Sequence, residues 1–205
     1  MAWLYLVTDR DLLQGRPLEE VVLAAVQGGV KMVQLREKHA TTRFFVEEAQ
    51  RIKELLAPYE VPLIINDRVD VAMAVGAHGV HIGQEDMPYP LARRLLGEHA
   101  IIGLSVETME QVREAEQYDL SYISVSPVFE TPTKTDTKGA WGIEGLKQVR
   151  AVTRHCVVAI GGINATNVQQ VVRAGAEGIA VVSAICAAPD PLESTRNLVD
   201  LIRSA

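Results

Sequence analysis

The chain has 205 residues, 48% hydrophobic and 22% charged, which suits one globular domain over residues 1–205 with a substantial buried core. Its formal charge of −6 argues against general nucleic-acid binding, so any anion site must be a local cluster of cations. Cys156 and Cys186 lack metal-ligand spacing and read as reduced core thiols; with no signal-peptide pattern and no long apolar span, the expected setting is the cytoplasm, away from membranes.

From the N-terminus, a β-branched run at residues 4–8 is followed by a helical pattern at 18–27 behind Pro17. Next come a strand at 32–36 and a helix at 42–56 with Thr42 at its start, then a strand at 63–66 and a helix at 69–75. The alternation continues with 79–82 and 91–96, 101–105 and 109–117, 122–125 and 143–153. It ends with 157–160 and 167–174, then 178–182 and 192–203. Pro90, Thr108 and Pro191 mark further helix starts. Glycines at 28–29, 76 and 175 punctuate helix-to-strand returns, where a left-handed residue turns the chain back. Alternation of this kind means parallel strands with crossover helices. Eight such pairs predict an α/β fold, a single (β/α)₈ TIM barrel with a parallel eight-stranded core. An open doubly wound sheet stays available, although no Gly-x-Gly-x-x-Gly fingerprint follows the first strand.

The second strand runs into Val33-Gln34-Leu35-Arg36-Glu37-Lys38. Strand alternation puts Gln34, Arg36 and Lys38 on one face and Val33 and Leu35 on the other, with Glu37 pointing away from Arg36. Two long cations at the end of a buried strand are costly unless something anionic meets them. In a barrel, residues following each strand gather on one rim, where active sites sit. That rim collects Asn66-Asp67 after strand three, Gln84-Glu85-Asp86 after strand four and Ser105 at the end of strand five. It adds the polar loop Thr131-Pro132-Thr133-Lys134-Thr135-Asp136-Thr137 after strand six, Gly161-Gly162 after strand seven and Ser183 after strand eight. The loop's composition suits a lid over a charged substrate. Glycines and a hydroxyl after the last two strands suit a phosphate. Asp67 and Asp86 each read equally well as a local cap or, together, as carboxylates holding Mg²⁺ against a diphosphate. The lack of clustered His and Cys argues against zinc. His81 faces either a site or a structural partner inside the barrel. Trp3 and Trp141 read as core or loop anchors.

These segments resemble the thiamine-phosphate synthase family nearly end to end. The resemblance is carried by Gln34-Leu35-Arg36-Glu37-Lys38, Ile65-Asn66-Asp67-Arg68-Val69-Asp70 and Val80-His81-Ile82-Gly83-Gln84-Glu85-Asp86. It continues through Ser126-Pro127-Val128-Phe129, Thr131-Pro132-Thr133-Lys134-Thr135-Asp136, Ile160-Gly161-Gly162-Ile163 and Val182-Ser183-Ala184-Ile185. It implies a transferase that couples a hydroxymethylpyrimidine diphosphate to a thiazole phosphate, giving thiamine phosphate and diphosphate, with loss of CO₂ from a carboxylated thiazole. By motif, Asp67 and Asp86 would bind Mg²⁺, while Gln34, Arg36, Lys38, Asn66, Ser105 and Lys134 would hold the pyrimidine diphosphate. Thr131, Thr133, Gly162, Val182 and Ser183 would meet the thiazole phosphate. Leu35, Glu37 and Pro132 join the expected substrate-binding segments, and Arg36, Lys38, Ser105 and Lys134 are the expected catalytic groups. The implied chemistry is dissociative and needs no protein nucleophile. A thiazole tautomerase shares Val-Phe-Glu-Thr at 128–131 and the glycine pair, but has no diphosphate to bind. A non-enzymatic barrel that binds thiamine intermediates predicts binding without turnover. Self-association into a homo-oligomer is left open.

Overall fold

The computed structural model describes residues 2–131 and 139–205. Eight parallel strands close into a barrel in sequence order, which eliminates the open-sheet alternative. The strands are β1 (Trp3–Val7), β2 (Met32–Leu35), β3 (Leu63–Asn66), β4 (Gly79–Ile82), β5 (Ile101–Val106), β6 (Tyr122–Val125), β7 (Val157–Ile160) and β8 (Gly178–Val181). Closure is made by β1 and β8, with Leu4 beside Ile179 and Leu6 beside Val181.

Period-two alternation separates two cores. Leu4, Leu6, Val33, Leu35, Leu63 and Ile65 point outward and pack with helix residues such as Val22, Phe45 and Ile52. Tyr5, Val7, Ile64, Tyr122, Val158 and Ala180 point inward and fill the barrel. Glycine sits at position 103 because its neighbour on β6 takes the space: a Cβ there would lie 2.1 Å from Cζ of Tyr122.

The outer ring is α1 (Leu18–Gly28), α2 (Thr42–Leu56), α3 (Val69–Val75), α4 (Tyr89–Leu96), α5 (Met109–Ala115), α6 (Gly142–Val152) and α7 (Val168–Arg173), followed by α8 (Ser183–Cys186) and α9 (Pro191–Arg203). Gly29 ends α1 in the left-handed conformation, at φ +111°. Three details depart from the sequence expectation. The cap of α2 is Thr41, whose hydroxyl accepts the Phe44 N–H, and Thr42 is the first helical residue. Pro88, not Pro90, is the cap of α4, since a proline at 90 still fits the first turn, where its missing N–H has no partner to lose. The single-turn α8 was not anticipated: four residues are too few to show a helical period.

Candidate active site

The C-terminal ends of the strands surround an open cavity of about 640 Å³. Of the expected site residues, the structure brings Gln34, Arg36, Lys38, Asn66, Asp67, Asp86, Ser105, Thr131, Gly162, Val182 and Ser183 to its wall. Pro132, Thr133 and Lys134 lie outside the described residues, as does most of the expected lid. Leu35 and Glu37 are placed elsewhere. Leu35 is fully buried in the outer core, because alternation turns it away from the barrel interior. Glu37 turns to Arg10, which bonds it at 3.2 Å and also bonds the buried Glu48.

Both cations of the second strand are already tethered by carboxylates. Arg36 donates from its guanidinium to Asp9 at 2.9 Å, and its backbone N–H bonds the Thr8 hydroxyl at 3.0 Å. Lys38 donates to Asp67 at 2.6 Å. The ends of β1 and β3 thus brace the end of β2 from either side. Asp9 was missed in the sequence, although its position just beyond the first strand is a rim position like the others.

Asp67 is no helix cap. The cap position of α3 is Arg68, and it makes no side-chain cap bond. Asp67 instead sits at φ +62°, a conformation that is uncommon for any residue with a side chain, held by its N–H to the carbonyl of His81 at 2.8 Å. Asp86 accepts the Gly83 N–H at 2.6 Å, closing the loop after β4. Burial, and then the neighbouring Asp67 carboxyl, raise the Asp86 pKa, while the Gly83 N–H and Lys38 oppose the rise. Two carboxylates that repel each other at a rim are a donor set that fits a hard divalent cation. Among the described residues no group of three or more His, Cys, Asp or Glu is assembled for a metal. Magnesium commonly takes one or two carboxylates and completes its shell with phosphate oxygens and water, so the Asp67 and Asp86 pair fits it.

Below the rim a polar chain crosses the barrel. Gln34 Nε2 donates to the Tyr5 hydroxyl at 2.9 Å, and Tyr5 meets the Tyr122 hydroxyl at 2.9 Å. Tyr122 meets His81 Nδ1 at 3.1 Å, and His81 Nε2 meets Ser105 Oγ at 2.9 Å. Burial pushes the pKa of both tyrosines upward, so both phenols are neutral. His81 lines the cavity and has both ring nitrogens partnered by protein groups, so its position meets both readings the sequence allowed. Tyr5 and Tyr122 carried no signal beyond that of core aromatics.

Across the cavity, Gly161 (φ +105°) and Gly162 (φ +65°) end β7 against the loop after β6. A Cβ on Gly161 would lie 2.5 Å from Pro127 Cβ, and one on Gly162 would lie 2.8 Å from Phe129 Cβ. The Phe129 N–H bonds the Gly161 carbonyl at 3.0 Å, so the two loops are laced together. Beside them Val182 and Ser183 open the short α8. The cavity therefore offers a cationic and carboxylate half near β2 to β4 and a backbone-rich half near β7 and β8.

A family model described as "Thiamine monophosphate synthase" matches residues 4–185. The chain belongs to that family. Its relatives include a thiamine-phosphate synthase of Albidiferax ferrireducens, 56% identical over 97% of this chain and 91% of that protein. Another, from Vibrio campbellii, is 53% identical over 98% of both chains. Among solved structures, a thiamine phosphate pyrophosphorylase from Pyrococcus furiosus superposes with a TM-score of 0.90 and 38% identity, covering 98% of this chain and 96% of that one.

Proposed function

We propose that this barrel is a thiamine-phosphate synthase, a transferase of thiamine biosynthesis. It couples 4-amino-2-methyl-5-hydroxymethylpyrimidine diphosphate with thiazole phosphate to give thiamine phosphate and diphosphate, and it releases CO₂ as well when the thiazole is carboxylated. The observation that carries this reading is the division of one cavity. Arg36, Lys38, Asp67 and Asp86 stand at one end and Gly161, Gly162 and Ser183 at the other.

In this reading Arg36 and Lys38 bind the diphosphate, Asn66 and Gln34 the pyrimidine side, and Ser105 donates from the far wall. Thr131, Gly162, Val182 and Ser183 receive the thiazole phosphate; by motif Thr133 is assigned to the same phosphate, Lys134 to the diphosphate and Pro132 to the substrate-binding segment. Asp67 and Asp86 would hold Mg²⁺, which when bound supplies positive charge beside the diphosphate. The carbon–oxygen bond to the diphosphate breaks first, the electron pair leaving with oxygen, and the electron-rich aminopyrimidine stabilises the methylene cation. The thiazole nitrogen then attacks that carbon. The side chains preorganise charge around the leaving group and keep water from the cation. No protein nucleophile takes part.

A thiazole tautomerase would use only the phosphate end and leave Asn66, Asp67 and Asp86 without a role. Among the described residues no helix is long and apolar enough to cross a membrane, and the cytoplasm is the proposed setting, with small molecules as the partners. The test is incubation with both substrates, with and without Mg²⁺. Thiamine phosphate and diphosphate should appear in equal amounts, strongly dependent on the metal. Tight binding of both substrates with no product would overturn the reading.

A further inference from the structure

The chain from Gln34 to Ser105 has five members, and three of them, Tyr5, Tyr122 and His81, are given no part in the reaction above. Its ends both lie on the cavity wall. We propose that Tyr5, Tyr122 and His81 are positioning residues that form a one-way hydrogen-bond chain, fixing His81 as its Nε2–H tautomer and turning the Ser105 hydroxyl proton towards the ligand. The role given to Ser105 rests on the reading of the site as a pyrimidine diphosphate site; the direction of the chain does not.

The direction follows from counting protons. The Gln34 amide nitrogen can only donate, and it meets the Tyr5 oxygen at 2.9 Å. Tyr5 is neutral and has one proton, which then goes to the Tyr122 oxygen, 2.9 Å away. The single proton of Tyr122 goes to His81 Nδ1 at 3.1 Å, so Nδ1 is an acceptor. Neutral imidazole must then carry its proton on Nε2, where Ser105 Oγ accepts it at 2.9 Å. With its inward lone pair occupied, Ser105 has no acceptor left within the chain, and its own proton turns to the cavity. Run in reverse, with Gln34 accepting through its carbonyl, the chain would end with Ser105 donating into His81 and would offer a ligand no proton at that wall.

Packing leaves these groups little freedom to rearrange. The His81 and Tyr122 rings are nearly parallel, 10° apart with centroids at 5.6 Å, and the Tyr5 ring stands edge-on to Tyr122 at 89°. Both tyrosines are fully buried, and Gly103 leaves the slot that the Tyr122 ring fills.

Two measurements on the full chain decide the proposal. In protein labelled with ¹⁵N-histidine at neutral pH, the His81 resonances, assigned by their loss in His81→Gln, should show a protonated Nε2 and an unprotonated Nδ1. A protonated Nδ1, or an imidazolium, would overturn the direction whether or not the protein turns over. The second is a double-mutant cycle with Tyr122→Phe, which keeps the ring, and Ser105→Ala. Tyr122→Phe alone should reduce kcat/KM for the pyrimidine diphosphate about tenfold, the scale of one well-placed hydrogen bond, with KM for the thiazole phosphate unchanged. In the Ser105→Ala background the same substitution should change it by less than about twofold. A full tenfold loss in that background would show that Tyr122 does not act through Ser105. If Tyr122→Phe fails to fold, the tautomer reading of the parent protein still decides the direction, and the same cycle is run with Tyr5→Phe. If the parent lacks synthase activity, the function reading fails while the tautomer result stands by itself.

Discussion

Gly103→Ala tests whether the barrel core and the site are one structure. The new methyl would lie 2.1 Å from Cζ and 2.4 Å from the hydroxyl oxygen of Tyr122. Carbon atoms in ordinary contact are about 3.5–4.0 Å apart, so the ring must retreat by more than about 1 Å. Its hydroxyl is held at 2.9 Å by Tyr5 and at 3.1 Å by His81, and neither bond survives such a shift. Overpacking a close-packed interior costs about 1–3 kcal/mol. Losing two buried hydrogen bonds adds about 1 kcal/mol each. The expected total is about 3–5 kcal/mol, a large part of a normal folding free energy. For a domain of this size it should lower Tm by about 6–20 °C in calorimetry. Combining Gly103→Ala with Tyr122→Leu should recover more than about 1 kcal/mol relative to the sum of the single changes, since the obstructing ring is gone. A Tm within about 2 °C of the parent would refute the reasoning. It would mean that the slot is not filled as described.

Glu37→Gln should change the pH dependence of stability. Burial first, and then the adjacent Glu48, raise the Glu37 pKa from 4.5 to about 7, against the pull of Arg10. The folded state therefore binds more protons than the unfolded state between these values, and the Glu37 contribution, complete below pH 4.5, is lost as pH rises through 7. The ceiling is about 3 kcal/mol, reduced by solvent screening to about 1–2 kcal/mol; melting temperatures at pH 5 and pH 8 should converge in Glu37→Gln, and an unchanged difference would reject the assignment. Lys38→Ala should cost less than about 1 kcal/mol of stability, because the lysine is half exposed in its pair with Asp67. Its turnover should nevertheless fall at least about tenfold; equal, small losses in both would make it a structural residue. Asp67→Asn keeps a side chain that tolerates φ +62° and should melt near the parent temperature, while a Mg²⁺ titration of its activity shifts to higher concentration. An unmoved titration would remove Asp67 from the metal site.

Strand alternation made much of this legible. Parity along the strand put Gln34, Arg36 and Lys38 on one face and Leu35 and Glu37 on the other, yet the motif still drew Leu35 and Glu37 into the expected substrate-binding set, and the structure places both elsewhere. The rim residues Asn66, Asp67, Asp86 and Ser105 followed from one rule about strand ends. Asp67 stayed ambiguous between cap and site because an aspartate just before a helix suits both. Only its left-handed backbone and its bond to Lys38 separate the two. Tyr5 and Tyr122 were illegible for another reason. They are 117 positions apart, and nothing local tells a buried phenol that meets another phenol from one that merely packs. Glu48 shows the same limit: on α2 it falls on the buried face, and its partners Arg10 and Glu37 come from two other parts of the chain.

The charge around Arg36 and Lys38 carries the proposed metal requirement further than the motif did. Among the described residues of the cavity wall these two cations face Asp67, Glu85, Asp86 and Glu107, and Asp9 is already bonded to Arg36. A diphosphate entering alone would meet the adjacent Asp67 and Asp86 carboxyls as well as two cations already engaged by carboxylates. In the proposed reading, Mg²⁺ held by Asp67 and Asp86 would supply positive charge at this end of the cavity. It would offset the Asp67 carboxyl that, after burial as the larger cause, raises the Asp86 pKa, and it would lessen the hold of Asp67 on Lys38, leaving the ammonium to a phosphate oxygen. The same logic explains why Arg36 keeps its own carboxylate. Asp9 holds one nitrogen of the guanidinium at the cavity wall and leaves the other donors of its five to other partners, which in the proposed reading would preset Arg36 for the diphosphate.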